Sequence, residues 1–121
     1  MLKAIPIRLL THAAILYTPV SVDLYGKEEY TVTELSRTHL QATNSVKRTR
    51  DNREVVLRSI LFYDAKNSLP RGLDFDQIML QAEKFASAPR IEINGISYTL
   101  VSVDAVPDDR GRLHHYELGL V

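Results

Sequence analysis

Asn94-Gly95, near the start of the last third of the chain, restricts the fold more than any other pair of residues. Both types readily take positive φ, which a type I′ hairpin turn requires at its two central positions. The flanks fit a hairpin. Ile91 and Ile93 alternate with Glu92 and Asn94 before it, and Ile96, Tyr98 and Leu100 continue the alternation after it. Alternation of period 2 marks a strand with one buried face. After Leu100 the phase shifts, so that Val101, Val103 and Ala105 form the apolar set. Such a shift predicts a bulge, or a strand bending round a barrel corner. Pro107 to Gly111 reads as the next turn, and His114, Tyr116, Leu118 and Leu120 form a last alternating run. A three-strand meander over residues 90–121 is expected, with Ile91, Ile93, Ile96, Tyr98, Leu118 and Leu120 in the core.

The rest of the chain must give that meander a packing partner. Leu9 to Tyr17 is apolar and tolerant of β structure, which predicts a first strand broken by Pro19. Val20, Val22 and Leu24 alternate with polar neighbours, and Tyr25-Gly26-Lys27 reads as a turn. Tyr30 to Thr43 is rich in Thr and β-branched residues, and predicts one long or bent strand. The polar stretch Asn44 to Asn52 reads as a mobile loop, Arg53 to Asp64 as a largely buried strand, and Ala65 to Gly72 as another loop. One helix interrupts the β pattern. Phe75, Ile78, Met79, Ala82, Phe85 and Ala86 form a single helical stripe, with Asp74 as its cap, Gln77 completing a capping-box pattern and Pro89 beyond its end. The expected fold is mainly β: a small antiparallel β-barrel of about six strands with one short α-helix, in a single domain.

Composition narrows the function classes. A chain of 121 residues can bury roughly two-thirds of its unfolded surface. Fifteen basic residues balance fifteen acidic ones, so no global field recruits nucleic acid or anionic lipid. The absence of cysteine removes disulfides, thiolate metal sites and a cysteine nucleophile, and fits a reducing compartment. Pro6, Arg8 and His12 interrupt any signal-peptide core, and no apolar window is long enough for a membrane span. The expected product is soluble and intracellular, or carried inside a particle.

Catalytic chemistry has little to build on. No phosphate loop, nucleophile elbow or HExxH pattern occurs, and no cofactor or metal is expected. His114-His115 resembles a metal pair, but strand neighbours point to opposite faces, which predicts a half-buried His114 beside a solvent-facing His115. Asp108-Asp109 fits backbone-capping in a turn better than ligation. Asp64 is the one carboxylate at the end of an apolar strand, where burial would raise its pKa. Charge is more informative. Lys47, Arg48, Arg50 and Arg53 form a basic loop, flanked by Arg37 and Arg58, whereas Asp23, Glu28 and Glu29 gather in an acidic patch with Glu34 beyond. The first set would meet phosphates or an acidic partner, and the second an adjoining subunit; as a plain alternative, the loop is a solvated hairpin tip.

Four segments in order, AILYTPVSVDLYGKEEYT, KRTRDNREVVLRSILFYDAKNS, INGISYTLVSVDAV and GRLHHYELGLV, give the chain its resemblance. Together they resemble the small minor capsid and head-closure (stopper) proteins of tailed phages and prophages. That pattern does not place the 74–86 helix. The resemblance implies a non-enzymatic virion component at the head–tail interface, made in the host cytoplasm. Such a component joins the portal or adaptor ring as a homo-oligomeric ring, closes the DNA-filled head and docks tail-completion proteins. Packaged DNA would lie nearby without sequence-specific binding, and no membrane is involved. Two other classes compete with it. One is a barrel-type nucleic-acid-binding module using the 47–53 loop; the other is a small enzyme with a His114 or Asp64 site.

Overall fold

A computed structural model of the chain describes residues 3–49, 52–85 and 87–121. Six strands form one antiparallel sheet that closes in a ring: β1 (His12–Val22), β2 (Glu28–Ala42), β5 (Ser59–Asp64), β8 (Leu113–Leu120), β7 (Ile96–Pro107) and β6 (Arg90–Ile93), which returns to β1. A separate two-stranded hairpin joins β3 (Val46–Arg48) to β4 (Glu54–Val56). The only α-helix among the described residues is α1 (Phe75–Lys84). None of the described helices is long and apolar enough to cross a membrane. The expected small antiparallel barrel with one helix is the observed fold.

The Asn94-Gly95 turn forms as its chemistry requires, with φ of 53° and 78°. Ile91, Ile93, Tyr98, Leu118 and Leu120 face the interior, and each fully buried aliphatic side chain contributes roughly 1.5–3 kcal/mol. Ile96 departs from expectation and is 47% exposed. It pairs with Ile93 directly at the turn, so it sits on the rim where no element covers it. The phase shift in β7 is a register irregularity between Leu100 and Ser102. Beyond it Val103 packs on the core, while Ala105 reaches the exposed end of the strand.

Three upstream expectations change. Pro19 does not end the first strand: β1 begins at His12, after a 3₁₀ turn over Ile7–Leu9, and runs through Pro19 to Val22. Tyr17 is the last residue of β1 paired with β6, and proline is tolerated on the unpaired edge beyond it. The polar stretch 44–52 is not a plain loop, because Val46, Lys47 and Arg48 pair with Val56, Val55 and Glu54. Strands this short show no periodicity by which to read them. The run 53–64 is two strands, parted at the buried Leu57 and at Arg58, whose guanidinium lies 5.4 Å over the Tyr98 ring.

The helix seals the barrel. Asp74 accepts a hydrogen bond from the Gln77 N–H at 3.1 Å, and Asp76 and Lys84 sit at the ends that suit the helix dipole. Its first residue, Phe75, is fully buried edge-on to the Tyr63 and Tyr116 rings, with centroids 5.1 Å away in both cases. Ala82 is buried, and Ile78 and Met79 pack against the core as the stripe predicts. Phe85 forms the C-cap; Ala86 lies outside the described residues.

Candidate interaction surface

The acidic patch sits on an arm. β6 leaves β1 at Tyr17, and β5 joins β2 only from Thr38 onward. Between these points Thr18–Val22 and Glu28–Thr31 pair in the sheet with each other alone, which makes a two-stranded ribbon beyond the ring. Its tip carries Leu24 and Tyr25, 100% and 96% exposed. Asp23 caps this tip by accepting from the N–H groups of Tyr25 and Lys27 at 2.9 and 2.8 Å. Glu29 accepts from the Ser21 hydroxyl at 3.2 Å; Glu28 accepts from the hydroxyls of Tyr30 and, at 3.1 Å, Ser87. At the base of the arm the Tyr17 hydroxyl donates to Glu92 at 3.1 Å, and this bond, with burial and the Glu92 charge, raises the phenol's pKa. These bonds of Asp23, Glu28 and Glu29 stiffen a ribbon that would be marginal alone, and Glu28 and Glu29, adjacent on β2, lie on its opposite faces.

The basic stretch forms the β3–β4 hairpin, in which Lys47 and Arg48 meet carboxylates. Lys47 pairs with Asp104 of β7 at 2.6 Å, and this hydrogen-bonded carboxylate holds the ammonium above the usual lysine range. Arg48 pairs with Glu54 at 3.0 Å and bonds Asn52 at 3.2 Å. Both ion pairs are substantially exposed and worth little to stability. Arg53 precedes β4 and its carbonyl accepts from the Thr49 N–H at 2.8 Å. Arg50 lies outside the described residues.

The structure also joins the two residues considered for an enzyme site, His114 and Asp64, through the N-terminal strap at residues 3–10. Asp64 is fully buried and accepts from three backbone N–H groups: Ile5 at 2.9 Å, Lys66 at 3.1 Å and Asn67 at 2.8 Å. Asn67 returns a bond to the Ile5 carbonyl at 2.8 Å. His114 Nε2 donates to the Lys3 carbonyl at 2.6 Å, and His114 Nδ1 shares a hydrogen bond with His115 Nδ1 at 2.7 Å. The expected separation of the two rings fails because His114, at the start of β8, turns toward the strap. His115 is not solvent-facing either: its side chain is 14% exposed and bonds Glu117 at 3.2 Å. No group of three or more His, Asp or Glu side chains among the described residues is placed to hold a metal ion.

All four histidines of the chain fall in one row with Phe62. Successive ring centroids His12–His39, His39–Phe62, Phe62–His115 and His115–His114 are 5.7, 5.9, 5.9 and 5.0 Å apart. The strap lies beside this row, and a pocket of about 180 Å³ opens between Ile5, Leu9, His39, Gln41 and Phe62. Sequence reasoning missed both features. Positions 12, 39, 62 and 115 become neighbours only through cross-strand register, for which a single sequence carries no signal.

No protein-family model, curated protein or solved structure matches the chain.

Proposed function

We propose that the protein is a structural component of a phage or prophage virion at the head–tail interface, assembling as a ring on the portal or adaptor to close the DNA-filled head and dock the tail. One observation carries this reading: the β1–β2 arm leaves the closed barrel and ends in a fully exposed Leu24 and Tyr25. A stiffened ribbon with an apolar tip is costly to leave in water and suits a part that is completed by a neighbour. The acidic and basic sets lie on separate hairpins, which fits head-to-tail contact between copies. The order of segments resembling head-closure proteins supplies the setting. A nucleic-acid-binding module draws less support, because Lys47 and Arg48 already face carboxylates in their own chain.

Particles made without this protein test the reading. Imaging should show filled heads that have lost DNA or lack tails. Intact, tailed and infectious particles would overturn it. In the same assay, a Lys47→Ala, Arg48→Ala, Arg50→Ala chain should fold normally yet give leaking or tailless particles if the hairpin touches DNA or a partner.

A further inference from the structure

The basic stretch noticed in the sequence is not the only cationic surface of the molecule. Lys3 and Arg8 lie on the strap, Lys66 and Arg71 on the loop that the strap binds, and Arg37 on β2 beside that loop; all five are exposed. Hydrogen bonds tie these segments into one patch. Asn67 holds the Ile5 carbonyl, Arg71 Nε donates to the Lys66 carbonyl at 3.1 Å, and Ser68 Oγ donates to the Arg37 carbonyl. None of the five cations forms an ion pair among the described residues. Two carboxylates of this region are engaged elsewhere: Asp64 accepts from backbone donors, and Glu117 bonds His115. Ile5 and Leu9, on the strap that also carries Lys3 and Arg8, line the pocket against Phe62.

The arm has the opposite character, with two large apolar side chains at the tip of a ribbon that carries Asp23, Glu28 and Glu29. It also lies at the opposite end of the same strand. β1 starts beside the strap at His12 and ends in the arm at Val22, so its 11 residues span about 33 Å. The arm therefore cannot reach the pocket of its own chain.

We infer that the arm of one copy docks on the strap face of the next, with Leu24 and Tyr25 seated at the Ile5–Leu9–Phe62 pocket and the acidic patch against the rim of Lys3, Arg8, Arg37 and Lys66. This contact deepens the ring proposed above by naming how copies join. Ligand and receptor occupy different surfaces, so the contact is heterologous: each copy offers an arm and receives one, and the series closes into a ring or grows as a filament. Opposite charges speed the encounter and set its salt sensitivity, while the apolar tip supplies the burial that keeps copies together.

Sedimentation of the purified full chain tests the contact. The wild type should associate as its concentration rises, and more weakly at high salt. Leu24→Ser with Tyr25→Ser, at sites too exposed to matter for folding, should weaken association on the order of 100-fold. Glu28→Lys with Glu29→Lys, and separately Lys3→Glu with Arg8→Glu, should each give monomers, whereas their mixture should associate again. The chain has no cysteine, so an oxidised Leu24→Cys, Leu9→Cys chain should give a ladder of linked copies. A Leu24→Cys, Ile96→Cys control should give none. A wild type monomeric at millimolar concentration, association indifferent to Leu24 and Tyr25, or equal ladders from both cysteine pairs would overturn the contact. The virion reading fails independently: complete particles without the protein would sink it even if arm-dependent association stands.

Discussion

Gly119 lies directly opposite Ser102 across the β7–β8 pairing, at the irregularity that follows Leu100. A Cβ at 119 would come within 2.1 Å of Ser102 Oγ and 3.0–3.1 Å of the Leu57 methyls. The Ser102 hydroxyl is itself buried without a hydrogen-bond partner among the described residues. Bulge, glycine and serine thus form one packing unit that brings the buried Leu57 against β8.

Gly119→Ala should therefore destabilise the protein by about 1–3 kcal/mol, the usual range for overpacking. Ser102→Ala should be close to neutral, since it removes an unpartnered hydroxyl, and should recover part of the Gly119→Ala loss when the two are combined. A double-mutant cycle by urea denaturation measures this; strict additivity would show that the two sites are not coupled.

Tyr63 predicts the alkaline behaviour. Its hydroxyl is buried without a partner among the described residues, and burial, followed by the neighbouring Tyr116, pushes its pKa from 10.0 up to about 12. The folded state holds this proton more tightly than the unfolded chain does. The associated stability is complete below pH 10 and is lost as the pH rises through 12. Tyr63→Phe should reduce that loss, leaving the residual slope of Tyr116, Tyr17 and Lys47, whose pKa values are also raised. At pH 7 the variant should be as stable as the wild type or up to about 1 kcal/mol more so. Equal alkaline slopes in denaturation from pH 7 to pH 12 would contradict this account.

Asp64 organises the strap, because three backbone donors converge on its carboxylate. Asp64→Ala leaves those N–H groups without an acceptor and should cost about 2–3 kcal/mol. Amide exchange should accelerate at Ile5 and Asn67 while Ile91 and Tyr98 stay protected. Unchanged exchange at Ile5 would mean that the strap is held elsewhere.

Phe75 and Leu24 form a contrasting pair. Phe75 is fully buried between two tyrosine rings, so Phe75→Ala should lose about 3–5 kcal/mol as the barrel end opens. Leu24→Ser, at a fully exposed tip, should stay within about 0.5 kcal/mol of the wild type. Guanidinium denaturation of both variants checks the pair, and a large loss at Leu24 would place the arm against its own barrel.

Several features were legible in the chain because their causes are local. Asn94-Gly95 names its own turn, the alternation of Ile91, Ile93, Tyr98 and Leu100 assigns an inner face, and Asp74 with the Phe75–Ala82 stripe encodes a capped helix. Each depends on residues within a few positions of one another, where backbone preference and side-chain period act directly. Of the site, the turn at Tyr25-Gly26-Lys27 was readable because its residues adjoin in the chain.

What only the tertiary structure decided is adjacency. Closure of β6 onto β1 left the arm overhanging and made Pro19 acceptable in a strand. Register across β2, β5 and β8 lined up the four histidines with Phe62, and Asn67 tied the strap that carries Lys3 and Arg8 to the loop that carries Lys66 and Arg71. The same closure turned Lys47 onto Asp104, 57 residues away, so a run of cations in the sequence became a partly neutralised hairpin. Local chemistry specifies which segments extend and turn. Which distant charges meet depends on how the sheet closes, because electrostatic and packing energies act over ångströms in space and are blind to separation along the chain.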